Sequence, residues 1–313
     1  MSGDDTAIEA AYRHDAVFYS GEAEFVEAIG SFLESGVGRG ARALALVTRH
    51  KADLLKSRLG PAADSVEFGD ILELGENPAR IIPEWRRWLD EASSEGSPLI
   101  GVGEPIWAER TSEEMVESHN HEALLNLAFS DVTDFWLRCP YDASTLNEAD
   151  LERARTTHMS LIDGDGEHHI QLDVAAMAAE TLSGTLPKAP GEGLKVDFSI
   201  EGLHDLRELA AKQAVEAGVS GRRVEDFVLA VSEIATNSLQ YGSGSGAAHI
   251  WQGVAEVVCE IRDSGRIVDP LIGRRPPAGV GRGYGTWISN QVCDLVQIRS
   301  GDDGTVVRVH QRA

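Results

Sequence analysis

The sequence predicts a three-layer α/β domain followed by an α+β domain. Its 313 residues correspond to about two domains of ~150 residues each. Up to about Thr157, short β-rich runs alternate with amphipathic helical stretches, whereas the last third contains consecutive strands joined by tight turns. Between them, "SGTLPKAPGEG" interrupts every periodic pattern with prolines and glycines. We therefore assign residues 1–182 to the first domain, 183–193 to a linker and 194–313 to the second domain.

Five β-rich runs in the first domain are each followed by a helical pattern. They are "HDAVFYS" before residues 22–35, "ARALALVT" before 51–59, "SVEF" before 78–94, "PLIGVGEP" before 112–129, and "FWLRCPYD" before a helix from about residue 147. Strands that alternate strictly with helices pair in parallel and carry helices on both faces. This pattern predicts the three layers.

The second domain begins with the strand "LKVDFSI" and two helices. Two alternating strands follow, "AAHIWQG" and "EVVCEIRD", then a glycine-rich segment, a helix and the closing hairpin "VQIRSGDDGTVVRVH". Because tight turns join neighbouring strands in antiparallel order, this half is predicted to be α+β.

The composition excludes several classes of partner. The formal net charge is -23, from 28 basic and 51 acidic residues, so the average surface repels nucleic acid and anionic lipid. No apolar run approaches the ~18 residues of a membrane span, and the acidic N-terminus does not resemble a secretory signal. We expect a cytoplasmic protein. Cys139, Cys259 and Cys293 lie in apolar runs and are expected to be small buried side chains in a reducing compartment.

One helix carries two polar residues that its apolar stripe does not explain. On a helical wheel from residue 222 to 239, Glu233 and Asn237 fall together, opposite the stripe that contains Phe227 and Val231. A solvated face is the ordinary explanation, but the positions three and four residues from Glu233 hold no cation. The helix alone leaves solvation and function equally open.

The strand "EVVCEIRD" ends its apolar row with Asp263, and Gly265 follows. By itself, Asp-Ser-Gly is an ordinary turn. Downstream, glycines at 279, 281, 283 and 285 precede a helix, an arrangement that lets backbone amides approach phosphate oxygens. The same segment contains arginines at 266, 274, 275 and 282 against one aspartate. The pattern favours a polyphosphate ligand.

Four ordered motifs together resemble the Bergerat-fold ATPases, the superfamily of gyrase, chaperone, histidine-kinase and MutL ATPases. They are "EIATN", "DSG", "GRGYG" and the final "GT". The stretch "GRGYGTWISNQVCDLVQIRSGDDGTVVRV" is most similar to the ATPase domains of bacterial anti-sigma-factor serine kinases. The resemblance spans about residues 194–312 and implies a two-layer α+β ATPase.

The resemblance assigns a role to each matching residue. Asn237 would help to hold Mg²⁺ against the phosphates of ATP, and Glu233 would be the general base for a serine hydroxyl or water. Asp263 would accept the adenine amino group, with Thr305 beside it, while Gly265 would leave room for the base.

The glycines Gly281, Gly283 and Gly285 match the lid that covers the phosphates. One departure is Tyr241, which lies where relatives often have a histidine. The implied protein binds ATP and Mg²⁺, sequesters a sigma factor and phosphorylates a serine on a small antagonist protein. A non-catalytic, ATP-dependent switch is the alternative. Relatives often pair through this domain, so a homodimer also stays open.

The first domain resembles the MEDS sensory domain, a RecA-like α/β module, through "GENPARIIPEW", "GVGEPIW", "HEALLNLAF", "CPYD" and its first helix. No G-x-x-x-x-G-K-[ST] phosphate loop is present, so nucleotide hydrolysis is not expected here. Glu104 and Tyr141 lie at predicted strand ends, where α/β sheets place ligands. The ligand stays open, and turn structure explains both residues almost as well.

The stretch "SHNHEALLN" places His119, His121 and Glu122 close together. Their spacing does not fit a helical metal motif such as H-E-x-x-H, so we expect partly exposed polar residues. If the protein were a sensor histidine kinase, His121 would be the phosphorylated residue. That alternative is disfavoured because His121 lies in a predicted α/β helix far from the ATPase motifs.

Overall fold

A computed structural model describes residues 12–92, 96–277 and 283–313. The chain divides into two units. The first comprises the chain up to Gly75 together with Glu84–Met177, and the second comprises Glu76–Pro83 with Ala178–Ala313. The second unit thus includes a short segment from the middle of the N-terminal half.

The first unit is built on a seven-stranded sheet in the order β3-β2-β4-β5-β1-β6-β7. Its strands are β1 Arg13–Tyr19, β2 Arg42–Val47, β3 Val66–Asp70, β4 Leu99–Gly103, β5 Phe135–Asp142, β6 Ser160–Asp163 and β7 Gly166–His169. All neighbours pair in parallel except β6 and β7. The parallel pairing predicted from strand and helix alternation is confirmed, and the β6–β7 hairpin is an addition that the alternation did not predict.

In the described part of the chain, seven α-helices connect these strands and lead into the second unit. They are α1 Gly21–Gly38, α2 Arg49–Leu59, α3 Ile71–Leu74, α4 Ile81–Ala92, α5 Ser112–Ala128, α6 Glu148–Thr157 and α7 Val174–Ser183, with 3-10 turns at Gly60–Ser65 and Pro78–Arg80. Side-chain caps fix several helix starts: Thr111 and Glu114 form a capping box on α5, and Asn147 accepts from Asp150 N at α6. The helix predicted around residues 78–94 is confirmed as α4, except that its first turn, Pro78–Arg80, is a 3-10 turn capped by Asn77.

Apolar side chains cover both faces of β4. Ile100 and Val102 belong to a buried cluster that includes Phe25 of α1. On the opposite face, a Cβ added to Gly101 would lie 2.8 Å from the ring of Trp85 in α4. Because side chains alternate along a strand, the glycine makes room for the tryptophan while its neighbours fill the other side.

The second unit is built on a five-stranded sheet in the order β11-β12-β10-β9-β8. Its elements are β8 Leu194–Phe198, α8 Leu203–Glu216, α9 Arg222–Tyr241, β9 Gly246–Gly253, β10 Glu256–Asp263, α10 Tyr284–Val292, β11 Leu295–Gly301 and β12 Gly304–Arg312. Every strand pair is antiparallel, as the tight turns predicted.

The predicted apolar stripe of α9 forms part of the core of this unit. Phe227, Val231 and Ala235 are fully buried in a cluster with the sheet residues Val257 and Val309. Leu229, on another side of the helix, is 41% exposed. Burial of one stripe holds the helix in a fixed rotation about its axis, which determines where its polar residues lie.

The segment 76–83 supplies hydrogen bonds to the C-terminal end of α10. Asn77 Nδ2 donates to Asn290 O at 3.2 Å and to Cys293 O at 3.3 Å. Arg80 donates from Nε to Asn290 O at 2.8 Å and from Nη2 to Cys293 O at 2.7 Å. These donors satisfy carbonyls that a helix end leaves without partners within the helix.

Among the residues that the structure describes, none of the helices combines the length and the apolar composition that crossing a bilayer requires.

Truncation of the buried stripe should destabilise the second unit. We expect Phe227→Ala to lower the free energy of unfolding by about 3–5 kcal/mol, because it removes a fully buried ring and leaves a cavity. Leu229→Ala on the same helix should change it by less than about 0.5 kcal/mol. Alkylation of the buried Cys259 in urea, read by mass spectrometry of the full-length protein, would report both. Equal effects of the two variants would contradict this account of the core.

Candidate functional site

A cavity of about 500 Å³ lies beside α9, the end of β10 and the start of α10. Both polar groups and apolar side chains line it; the lining includes Ile234, Asn237, Ser238, Asp263, Gly265, Ile267, Ile272, Gly283, Thr286, Thr305 and Val307. This volume lies within the range of small-molecule sites, roughly 300–1,000 Å³. A few polar groups in an apolar cavity can orient a partly aromatic ligand.

Asp263 ends β10 at the wall of this cavity, and two donors hold its carboxylate. Ser238 Oγ donates to Oδ2 at 2.6 Å, and Gly265 N donates to Oδ1 at 2.6 Å. Each carboxylate oxygen has a further lone pair, so Asp263 can accept an additional donor from a ligand. The two bonds fix the direction of that acceptor.

Thr305 lies directly across the sheet from Asp263 in the β10–β12 register. Its Oγ1 donates to Gly265 O at 2.8 Å and lies 2.8 Å from Ser300 Oγ. Ser300 Oγ in turn accepts from Ile267 N at 2.8 Å. This chain of hydrogen bonds ties the loop after β10 to the final hairpin.

Gly265 and Gly304 are needed because the chain approaches itself closely around Asp263. A Cβ at Gly265 would lie 2.8 Å from Asp263 Oδ1 and 2.8 Å from Tyr241 O. At Gly304, whose φ is +107°, a Cβ would lie 2.2 Å from Asp263 O. Neither position can hold a side chain without displacing the backbone.

The structure brings Glu233 and Asn237 together against the first turn of α10. A Cβ added to Gly285 would lie 2.9 Å from both Glu233 Oε2 and Asn237 Nδ2. Both residues are half-buried, so they neither belong to the apolar core nor form a fully solvated face. The carboxylate and the amide therefore lie side by side at a helix N-terminus, which carries a partial positive charge.

Gly283 precedes α10 with φ of +86°, the left-handed conformation that glycine adopts without strain. It also lines the cavity. Gly281, assigned to the same predicted lid, lies outside the described residues, as do Gly279 and Arg282.

The positive charge predicted for the glycine-rich segment is partly neutralised by acidic neighbours. Arg266 lines the cavity but pairs with Asp302 at 2.9 Å, and Arg275 pairs with Asp269 at 2.8 Å. The sequence count missed the first pair because Asp302 lies on the closing hairpin. Arg274 is buried. A phosphate ligand would therefore compete with carboxylates for these guanidinium groups.

Ser238 and Ser300 are polar residues near the site that the sequence analysis did not select. Ser238 follows Asn237 directly and is buried at the end of α9. The sequence did contain a signal for Ser238, because this serine directly follows Asn237 near the predicted end of the helix. Ser300 gave no signal, because only the strand register brings it next to Thr305.

In the first unit, Glu104 is buried at the end of β4, where it accepts from Tyr19 OH at 2.8 Å and pairs with Lys51. Burial raises the pKa of Glu104 despite the Lys51 ammonium. Tyr141 is also buried, and burial raises its pKa. The two predicted sensory positions are thus interior residues of their unit.

The expectation that His119, His121 and Glu122 are partly exposed is wrong. Their exposed fractions are 8%, 1% and 0%, because α5 is buried over most of its length. His119 Nε2 lies 2.9 Å from Asp150 Oδ1. His121 is enclosed in the first unit, which argues against a phosphorylated histidine at this position. The three cysteines are free and buried, as predicted.

Two known families match separate parts of the chain. Residues 13–159 match the MEDS family, described as the methanogen/methylotroph DcmR sensory domain. Residues 198–310 match the histidine kinase-like ATPase domain. The chain carries a MEDS domain and a histidine kinase-like ATPase domain. The two resemblances seen in the sequence are therefore confirmed, and the cavity lies in the ATPase domain.

A solved structure of the RsbU and RsbW domains of a Mycobacterium tuberculosis protein is 18% identical to this chain. The match covers 40% of this chain and 33% of that one, with a TM-score of 0.29, a value too low to establish a shared arrangement. No curated protein matches the chain.

Loss of the Ser238 hydroxyl should destabilise the wall of the cavity. A hydrogen bond to a charged group contributes about 1.5–3 kcal/mol, so Ser238→Ala should lower the free energy of unfolding of the ATPase domain by that amount. Ser243→Ala, at an exposed position just beyond the helix, should have almost no effect. The Cys259 alkylation assay in urea measures both. A neutral Ser238→Ala would show that the Asp263 carboxylate does not need this donor.

Proposed function

We propose that the ATPase domain binds Mg-ATP in its cavity and transfers the γ-phosphate to a serine of a partner protein. The observation that carries this proposal is the pairing of Glu233 and Asn237 at the first turn of α10, next to a cavity whose lining includes Asp263. This arrangement offers an acceptor for a base and groups for a metal-bound phosphate.

The adenine end of the cavity would be selected by Asp263 and Thr305. A carboxylate held in a fixed direction accepts the exocyclic amino group of adenine, which guanine lacks at that position. Ile234, Ile267 and Ile272 line the cavity and supply apolar contact for the faces of the base. Gly265 leaves open the space that a side chain would occupy beside Asp263.

The phosphate end would be formed by the N-terminus of α10. Backbone N–H groups at a helix start bind phosphate oxygens, and Gly283 and Gly285 permit close approach. Asn237 would hold Mg²⁺ through its amide oxygen, since hard cations prefer oxygen ligands. Mg²⁺, when bound, neutralises charge that develops on the transferring phosphoryl group.

Glu233 would act as the general base for the attacking hydroxyl. It is half-buried next to Asn237, so a proton acceptor would lie close to the metal-bound phosphate. A suitably placed base contributes typically 10²–10⁴-fold to rate.

The partners are proposed from the resemblance of the ATPase motifs to anti-sigma-factor serine kinases. On that basis the protein sequesters a sigma factor and phosphorylates a serine on an antagonist protein, and the MEDS domain adjusts either step in response to a signal. The alternative is a switch in which bound ATP reshapes a protein-binding surface without phosphate transfer. Tyr241 lines the cavity and is 39% exposed, near the place where relatives often have a histidine. This departure from the kinase pattern is the reason for the alternative.

Nucleotide binding should depend on the charge of Asp263. Asp263→Asn replaces an acceptor oxygen with an N–H donor, so we expect ATP affinity to fall roughly 10- to 150-fold, the equivalent of about 1.5–3 kcal/mol. Calorimetry on the full-length protein with Mg²⁺ would measure this loss. Asp205→Asn, an exposed change on α8, is the control and should bind like the parent. Unchanged affinity in Asp263→Asn would place the adenine elsewhere.

Phosphate transfer should depend on Glu233. Glu233→Gln should keep ATP binding and slow ADP formation by about 10²–10⁴-fold, because the amide cannot accept the proton. Glu225→Gln, exposed on the same helix, should form ADP at the parent rate. If parent and Glu233→Gln form ADP equally fast, Glu233 is not the base. If the parent binds ATP and transfers no phosphate to partner or water, the switch is correct.

A further inference from the structure

A second cluster of chemically active side chains lies in the MEDS domain, far along the chain from the ATPase motifs. His14 of β1, Glu122 of α5, Cys139 of β5 and His158 at the end of α6 each present one ligand atom, and these four atoms lie within 4.8 Å of one another. All four residues are at most 1% exposed.

The carboxylate lies at the centre of the cluster. Glu122 Oε2 is 3.1 Å from His14 Nε2 and 3.1 Å from His158 Nε2. Cys139 Sγ is 3.3 Å from the same His14 nitrogen. Tetrahedral coordination with bonds of about 2.1 Å separates ligand atoms by about 3.4 Å, so small side-chain movements would accommodate an ion.

The hydrogen bonds around His14 determine which of its nitrogens carries the proton. Asn126 Nδ2 donates to Thr157 O at 2.8 Å, which orients the amide so that Oδ1 faces His14 Nδ1 at 3.2 Å. An amide oxygen only accepts, so His14 Nδ1 is the donor. His14 Nε2 is therefore the nitrogen directed into the cluster, and in the neutral imidazole it carries the lone pair.

His158 is oriented in the same way by the backbone. Its Nδ1 lies 2.8 Å from Ala154 O, a carbonyl that only accepts, so Nδ1 carries the proton. Glu122 Oε1 is buried without a hydrogen-bond partner. A histidine that donates from one nitrogen to a carbonyl and presents the other to a carboxylate and a thiol has the arrangement found at metal sites.

With both imidazoles neutral and no cation, the cluster places two imidazole lone pairs against a carboxylate oxygen at a site where all four residues are at most 1% exposed. Unsatisfied polar groups in such a place are costly. Protonating both imidazoles would put two positive charges side by side in a buried site. One shared divalent cation satisfies all four groups at once.

We propose that His14, Glu122, Cys139 and His158 form a closed binding site for a divalent transition-metal ion of the Zn²⁺ class. Two imidazoles, one thiolate and one carboxylate suit this class, whereas Mg²⁺ and Ca²⁺ prefer oxygen ligands. Four protein ligands and no exposure are typical of structural sites. On binding, the Cys139 S–H bond breaks, sulfur donates its electron pair to the metal and the proton leaves to solvent.

The first test is the metal content of the full-length protein. After incubation with Zn²⁺ or Co²⁺ and removal of loosely bound ions, elemental analysis should find one equivalent per chain. With Co²⁺, a thiolate-to-metal charge-transfer band should appear. Less than a tenth of an equivalent in folded wild-type protein with both ions would overturn the proposal and leave a metal-free ion-pair cluster.

Variants then locate the ion. Cys139→Ser should lose the charge-transfer band, and His158→Gln should lose stoichiometric binding. His119→Gln, a buried histidine of α5 outside the cluster, and Cys259→Ser, a buried thiol of the other unit, should bind like wild type. Unchanged binding in both cluster variants would overturn the proposal.

A milder variant covers the case in which the ligand variants do not fold. Asn126→Ala removes the group that orients His14, so metal affinity should fall about 10- to 100-fold with the four ligands intact. In the wild type, chelation should make Cys139 reactive to alkylating reagents while Cys259 and Cys293 stay protected. Equal protection of all three thiols before and after chelation, with unchanged affinity in Asn126→Ala, would contradict the site.

Discussion

The ATPase domain depends on the crowding of its backbone around Asp263. The end of α9, the end of β10, the loop after it and the start of β12 all meet there, and a Cβ on Gly265 or Gly304 would overlap the aspartate or its carbonyl. Ser238 approaches from the helix and Thr305 from the neighbouring strand. These approaches leave no room for a side chain at Gly265 or Gly304, and hydrogen bonds hold the Asp263 carboxylate in place. The carboxylate therefore has a defined position in the lining of the cavity.

The charge of the chain sets a second constraint on an anionic ligand. With a formal charge of -23, the protein does not attract ATP by its overall field. Under the proposed function, attraction would have to arise locally, from backbone N–H groups at the start of α10 and from a metal ion held by Asn237. The ion pairs of Arg266 and Arg275 indicate that guanidinium groups would become available only by exchanging one acidic partner for another.

Features set by local periodicity or strand pairing were predictable. The stripe of α9 follows from 3.6-residue spacing, the parallel sheet from alternation, and the placement of Thr305 near Asp263 from a resemblance that the register then explains. Features that join distant segments were not. Nothing in the spacing of His14, Glu122, Cys139 and His158 marks a ligand set, because β1, α5, β5 and α6 each contribute one residue. The arginine count failed for the same reason, since Asp302 approaches from another hairpin.

The segment 76–83 has a consequence for how the ATPase domain is cut from its chain. A polypeptide that begins at residue 178 contains every ATPase motif, yet lacks the side chains of Asn77 and Arg80. The carbonyls of Asn290 and Cys293 would then have only water as a hydrogen-bond donor. The negative end of the α10 dipole would also lose the Arg80 guanidinium. In such a fragment the C-terminal end of α10 would fray, and the first turn of this helix lies next to Glu233 and Asn237. A boundary drawn by family matching and a boundary drawn by hydrogen bonds therefore differ in this protein.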